Sequence, residues 1–214
     1  MKLTLAYSPV ACSLVPYILL TEAGVPFDTL PVNLGKGENH GAEYLRLNPK
    51  GKVPALIIDG HVLTENVAIQ LWIARQFPQA NLMPADSLAY ARAVSVMAWC
   101  AAGIHPKLTQ QARPERYCDL PNSADHVVAL GSHSLFELFE IAEEMLAGRD
   151  WFVDQFSCAD AYFYWCFRRG SLFKPDVSGF KNCMAHMRRM EQRPSVQKLL
   201  AYEKAVQAEW AKTA

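Results

Sequence analysis

The chain has 214 residues, of which 51% are apolar and 20% charged, and its 21 Lys and Arg balance 21 Asp and Glu. That composition excludes a disordered segment, and the neutral balance excludes a chain drawn to nucleic acid or to an anionic membrane by net charge. At this length two small domains are favoured over one, because domain sizes peak near about 100–150 residues.

Six cysteines, Cys12, Cys100, Cys118, Cys158, Cys166 and Cys183, stand apart without a C-x-x-C pair or a compact ladder. Scattered spacing of this kind predicts free thiols in a reducing compartment, and the cytoplasm fits. Pro9-Val10-Ala11-Cys12 loosely resembles a lipoprotein cleavage box, but Tyr7, Ser8 and Pro9 interrupt the run before the apolar core of about 7–15 residues that a secretory signal needs. No uninterrupted apolar run of about 18 residues occurs, so no membrane span is expected.

In chain order, residues 2–7 alternate as a strand, Ser8-Pro9 breaks it, and 14–23 carry apolar residues at helical spacing, with Pro16 in the first turn. Gly24-Val25-Pro26 stops that helix, 27–33 read as a second strand, and 43–47 as a short helix. Residues 53–58 and 61–64 are strand-like runs joined by Asp59-Gly60, a strong signal for a tight antiparallel hairpin, and 65–77 form a helix against the sheet. The Pro-containing, aperiodic stretch 79–86 is the linker candidate between residues 1–78 and 87–214. Beyond it, 88–111, 126–146, 159–169, 180–192 and 196–211 each carry a helical apolar stripe. An α/β domain followed by an all-α domain is expected.

Three segments carry chemistry. Tyr7, Cys12 and Ser13 surround the first strand-to-helix turn, where helix-terminal N–H groups and the positive end of the macrodipole favour an anion such as a thiolate, whether of Cys12 or of a bound ligand. In Asn48-Pro49-Lys50-Gly51-Lys52-Val53-Pro54-Ala55-Leu56, a proline opening a strand belongs at an edge, and a cis Val53-Pro54 bond would turn the Val53 backbone out to pair with an extended peptide. At Thr64-Glu65-Asn66 a strand gives way to a helix. Glu65 suits an ammonium group there, while Asn66 and the helix amides suit a carboxylate. Taken singly, these segments also read as a buried cysteine, a turn before an edge strand and a helix cap.

Together these stretches resemble the glutathione-binding domain of glutathione transferases, especially the bacterial beta class: Ala11-Cys12-Ser13-Leu14, Asn48-Pro49-Lys50-Gly51 with Val53-Pro54-Ala55-Leu56, and Thr64-Glu65 with Val67-Ala68-Ile69. The likeness continues through Phe156-Ser157-Cys158-Ala159-Asp160-Ala161-Tyr162 and Gln192-Arg193-Pro194, so it spans the chain. The resemblance implies a thioredoxin-like domain, an all-helical domain with a second-substrate pocket, glutathione as substrate and a homodimer. It places Cys12 beside the glutathione sulfur, with Tyr7 and Ser13 as further candidates to support the thiolate. The Val53 backbone would bind the cysteinyl unit, and Ala11 and Pro54 would be further glutathione-binding residues. Glu65 and Asn66 would hold the γ-glutamyl end, Lys36 and Lys52 would lie near the glycyl carboxylate, and His105 would line the site from the helical domain. Asn66 replaces a frequent Ser and Lys52 a frequent Gln. Ala98 and Ala102 stand where the family often has Asn and a small hydroxyl residue, and Pro106 follows His105 instead of Lys, so polar support around the sulfur is thinner.

The expected reaction is attack of the glutathione thiolate on a small hydrophobic electrophile. Lowering a thiol pKa by about two units from ~8.5 turns a few per cent of thiolate at neutral pH into most of the population. Two alternatives remain: thiol–disulfide exchange or peroxide reduction through a Cys12 mixed disulfide, and a non-catalytic protein that binds glutathione or a partner. Ser157 and Asp160 read as a structural capping box. The spacing of His40, His61, His126, His133 and His186 matches no metal site, and Gly35-Lys36-Gly37 reads as a flexible bend. The aromatic run Tyr162, Phe163, Tyr164, Trp165 and Phe167 is expected to be mostly core.

Overall fold

A computed structural model describes all residues except 174, 213 and 214. The described residues pack as two compact units, Met1–Leu82 together with Glu191–Ala214, and Met83–Met190.

In the first unit, β1 (Leu3–Tyr7), β2 (Asp28–Pro31), β3 (Ala55–Ile58) and β4 (His61–Thr64) form one sheet in the order β2-β1-β3-β4. β1 runs parallel to β2, which requires the crossover through α1 (Leu14–Glu22), and antiparallel to β3. The hairpin turn lies where Asp59-Gly60 predicts it: both residues have positive φ, 48° and 89°, the backbone a two-residue hairpin requires. The Lys2 N–H donates to the Asp59 carboxylate at 2.7 Å and ties the turn to β1. α2 (Ala42–Leu47) and α3 (Asn66–Gln76) complete the α/β part.

Alternation along β1 sets the two faces of the sheet. Ala6 packs with Val32, Tyr44, Val53 and Ala55. Tyr7 points the other way, its ring 5.8 Å from that of Tyr17 on α1 and 5.3 Å from that of Tyr202 on α9 (Pro194–Lys212).

That last helix packs with the first unit, although the sequence reading groups it with the helical domain. An apolar stripe shows that a helix has a face to bury but not which layer covers it. Four polar pairs fix the choice. Arg193 donates through Nε and Nη2 to both carboxylate oxygens of Glu22 at 2.8 Å, and the Ser195 hydroxyl donates to one of them. The Thr29 and Tyr202 hydroxyls meet at 2.7 Å, and Glu203 accepts from Val10.

The second unit consists of α4 (Ser87–Trp99), α5 (His105–Ala112), α6 (Ala124–Met145), α7 (Cys158–Ser171) and α8 (Lys181–Glu191). The single helix expected over 88–111 is continuous from Ser87 to Ala112 but carries one π-helical turn, Cys100–Ile104, directly before His105. This helix is long and apolar enough by length and composition to cross a membrane; it contains Arg92, Pro106 and Lys107 and packs on α6 and α7. The aromatic run of α7 is buried throughout, with Phe163 and Phe167 meeting Phe139 of α6 at 6.4 and 4.9 Å. Gly170 allows that approach, since a Cβ there would stand 2.8 Å from the Phe139 ring.

The start of α7 is organised by Asp160, which has no solvent exposure. Its carboxylate accepts from the Ser157 N–H (2.9 Å), the Ser157 hydroxyl (2.9 Å) and the Phe152 N–H (3.1 Å), and lies 3.1 Å from Nε2 of buried His186. Replacing it with Ala strands several buried donors at once, so Asp160→Ala is expected to cost about 3–5 kcal/mol in urea unfolding. A loss below about 1 kcal/mol, the size of a simple cap, would contradict this account.

Candidate functional site

The site is built around the loop between β1 and α1. At its base the Ser13 hydroxyl donates to the Ser8 carbonyl (3.1 Å) and accepts from the Ser8 N–H (3.0 Å). The Ala11 N–H also returns to the Ser8 carbonyl at 3.2 Å. At the far end, the Cys12 carbonyl accepts from the Asn66 side-chain amide of α3 at 2.8 Å, and Asn66 in turn accepts from Gln70 at 3.1 Å. The Cys12 thiol donates to the Val53 carbonyl at 3.4 Å, a distance ordinary for sulfur.

Val53 is itself held. The Val53-Pro54 bond is cis, as the sequence suggests. Just before it, the Lys52 carbonyl accepts from the Tyr44 hydroxyl (2.8 Å) and the Asn48 amide (2.7 Å), and the Gly51 carbonyl accepts from Asn39 (2.7 Å). Gly51 has φ 61°, and a Cβ on it would stand 3.0 Å from the His40 ring, so this position needs glycine on both counts. The Asn48-Pro49-Lys50-Gly51 stretch is therefore a built loop.

Glu65 sits at the entry to α3 with φ 72°, an uncommon backbone for a residue with a Cβ. Its exposed carboxylate pairs with Lys50 Nζ at 2.6 Å, and Lys50 also donates to the Thr64 hydroxyl at 3.1 Å. The sequence reading quotes Lys50 within its motif but gives it no role; in the fold it is the cation that holds Glu65.

The structure thus brings together Ala11, Cys12, Val53 and Asn66 through direct contacts around one loop, with Lys52, Pro54 and Glu65 as chain neighbours of these residues. It does not bring Tyr7 or Ser13 to an accessible surface. Both have no exposure, Tyr7 among aromatic rings on the opposite face of β1 and Ser13 inside the loop it closes. In this arrangement the Tyr7 ring packs in the core and the Ser13 hydroxyl closes the loop. Lys36 is exposed in the bend after β2, its N–H on the Asn33 side chain at 3.1 Å. His105 belongs to the second unit, where Nδ1 lies 3.3 Å from the Tyr162 hydroxyl and the ring meets Trp165 edge-on at 4.4 Å.

The sequence leaves open whether a thiolate here belongs to Cys12 or to a ligand, and the electrostatics at Cys12 bear on that choice. Burial pushes its pKa up to about 12, although the Asn66 amide and the Lys52 charge pull it down. A thiol of that pKa is ionised in roughly one molecule in ten thousand at pH 8. In this structure the Cys12 thiol is placed as a hydrogen-bond donor to the Val53 carbonyl, and its burial disfavours the thiolate.

A cleft of about 320 Å³ in the first unit is lined by Tyr17, Phe27, Thr29, Lys198 and Tyr202 among others. None of the site residues above lines it, so size alone does not mark the functional site. Among the described residues no group of three or more His, Cys, Asp and Glu is placed to hold a metal ion.

Comparison with known proteins agrees with this geometry. The family model for the glutathione S-transferase N-terminal domain matches residues 2–75, and that for the C-terminal domain matches residues 121–194. Glutathione S-transferase GstA of Escherichia coli O157:H7 is 34% identical over 93% of this chain and 98% of its own. The chain belongs to the glutathione S-transferase family. Among solved structures, the beta-class glutathione S-transferase of Sphingomonas chungbukensis is 34% identical with a TM-score of 0.84, covering 94% of this chain and 98% of its own. A glutathione transferase homologue from Sulfitobacter, solved with bound glutathione, reaches a TM-score of 0.89 at 27% identity, covering 94% and 98%. The thioredoxin-like and helical domains expected from the sequence are those of this family.

The thiols give a pH prediction with a definite sign. Burial raises Cys12, Cys158 and Cys183 above the ordinary 9.0, so the folded protein keeps protons that the unfolded chain releases. Stability is therefore full below pH 9 and falls as pH rises beyond it. In step with this, alkylation of Cys12 at pH 8 is expected to be at least about 100-fold slower than that of a free cysteine and to rise without a plateau to pH 10. Peptide mapping by mass spectrometry checks it; a plateau near neutral pH would contradict it.

Proposed function

We propose that the chain conjugates glutathione to small hydrophobic electrophiles, with the nucleophilic sulfur supplied by glutathione and the Cys12 thiol held beside it on the Val53 carbonyl. The observation that carries this reading is the position of Cys12, its thiol on the Val53 carbonyl and its own carbonyl on the Asn66 amide of α3, in surroundings that raise its pKa. The Asn66 amide and Lys52 both act in the direction that favours an anion at this spot. A ligand sulfur there, less desolvated than Cys12, would benefit from the same groups.

In this reading an extended tripeptide pairs with the backbone at Val53. Its γ-glutamyl ammonium exchanges with Lys50 for the Glu65 carboxylate, and its carboxylate meets the N-terminal amides of α3, an 11-residue helix whose terminus favours anions. The exposed Lys50–Glu65 pair is worth at most about 1 kcal/mol, so its exchange for a charged ligand is cheap. Lys36 and Lys52 supply cations for the glycyl carboxylate.

The mixed-disulfide alternative needs Cys12 as thiolate, which its burial disfavours. We also infer a homodimer, supported by exposed Leu88 and Tyr90 on α4, and a cytoplasmic setting, supported by six cysteines that form no disulfide among the described residues.

Steady-state kinetics with an activated aryl halide and calorimetry with reduced glutathione test the proposal together. Cys12→Ala is expected to keep conjugation within about tenfold of wild type, whereas Glu65→Gln is expected to weaken glutathione binding by about 10- to 100-fold. Complete loss of conjugation in folded Cys12→Ala, or unchanged binding in Glu65→Gln, would contradict it.

A further inference from the structure

We propose that Glu203, on α9, is the positioning residue that sets the Cys12-bearing loop, an inference that rests on the conjugation reading above. Glu203 is only 4% exposed, and its Oε2 accepts the Val10 N–H at 2.7 Å across 193 residues of sequence. A carboxylate that leaves water for the interior is costly unless hydrogen bonds replace the lost hydration. Here the donor is the backbone of the loop that presents Cys12 two residues later.

The backbone at Val10 shows why the loop needs an external hold. Val10 has φ 63°, the left-handed region that β-branched residues avoid. Such a conformation persists only where the surroundings over-determine it. The Ser8–Ser13 pair closes the base of the loop and Asn66 holds its Cys12 end, but neither touches Val10. Glu203 adds a restraint at Val10 itself through the 2.7 Å bond from its N–H. α9 is itself anchored to α1 through the Arg193–Glu22 pair, so Glu203 acts from a fixed helix.

A plain structural role would lower stability and leave a folded variant with normal chemistry. A positioning role makes a different set of predictions. In folded Glu203→Ala the rate of Cys12 alkylation is expected to rise about tenfold, and kcat with an aryl halide to fall about tenfold with KM for glutathione changed less than about threefold. Glu203→Gln retains a carbonyl acceptor and should stay within about threefold of wild type in both readouts. Val10→Gly in the Glu203→Ala background should recover part of kcat, because glycine adopts this φ without strain.

Should Glu203→Ala fail to fold, Glu203→Asp, which withdraws the carboxylate by one methylene, is expected to show the same two changes at smaller size. Wild-type alkylation and kcat in folded Glu203→Ala or Glu203→Asp would overturn the proposal, as would Glu203→Gln as impaired as Glu203→Ala. If wild type neither binds reduced glutathione nor turns over the aryl halide, the conjugation reading fails. The alkylation ratio of Glu203→Ala to wild type still decides whether Glu203 holds the loop.

Discussion

A short loop with a β-branched residue in left-handed backbone cannot hold its own shape, and the site of this protein depends on that constraint being met from outside. Three elements distant in sequence meet it: α9 through Glu203, α3 through Asn66, and the segment before β3 through the Val53 carbonyl. Each contact also anchors the element that supplies it. The cooperativity follows from geometry, since moving Cys12 by an ångström would break a hydrogen bond to at least two of the three.

The chemical consequence is a division of labour between sulfurs. The restraints that fix Cys12 also desolvate it, and desolvation outweighs the Asn66 amide and the Lys52 charge. In the proposed reaction a buried, neutral protein thiol is the poorer nucleophile, whereas a ligand sulfur at the mouth of the same loop would keep part of its contact with water. Electrostatics that fail to ionise a buried cysteine can thus still favour the thiolate of a partially solvated guest.

Much of this was legible in the sequence because it is local. Asp59-Gly60 required the observed positive φ pair, and Ser157 with Asp160 required the capping box. The Val53-Pro54 step and the entry to α3 at Glu65 likewise lie where the spacing predicts them. What escaped notice is set by pairings that no window of sequence contains. Tyr7 and Ser13 share the loop with Cys12, yet strand alternation sends one to the opposite face and a hydrogen-bonded ring encloses the other. Glu203 looks like one more polar residue on a helix until the fold brings Val10 to it. The same distance hid the allegiance of α9 to the first unit, while the π turn before His105 has no composition signal to read.

The most direct test of which sulfur is ionised is an ultraviolet thiolate difference spectrum, recorded against pH with saturating reduced glutathione for wild type and Cys12→Ala. The account predicts a glutathione-dependent thiolate signal that titrates well below pH 9 and persists in the variant. A signal that disappears in Cys12→Ala while glutathione still binds would assign the thiolate to the protein and contradict it.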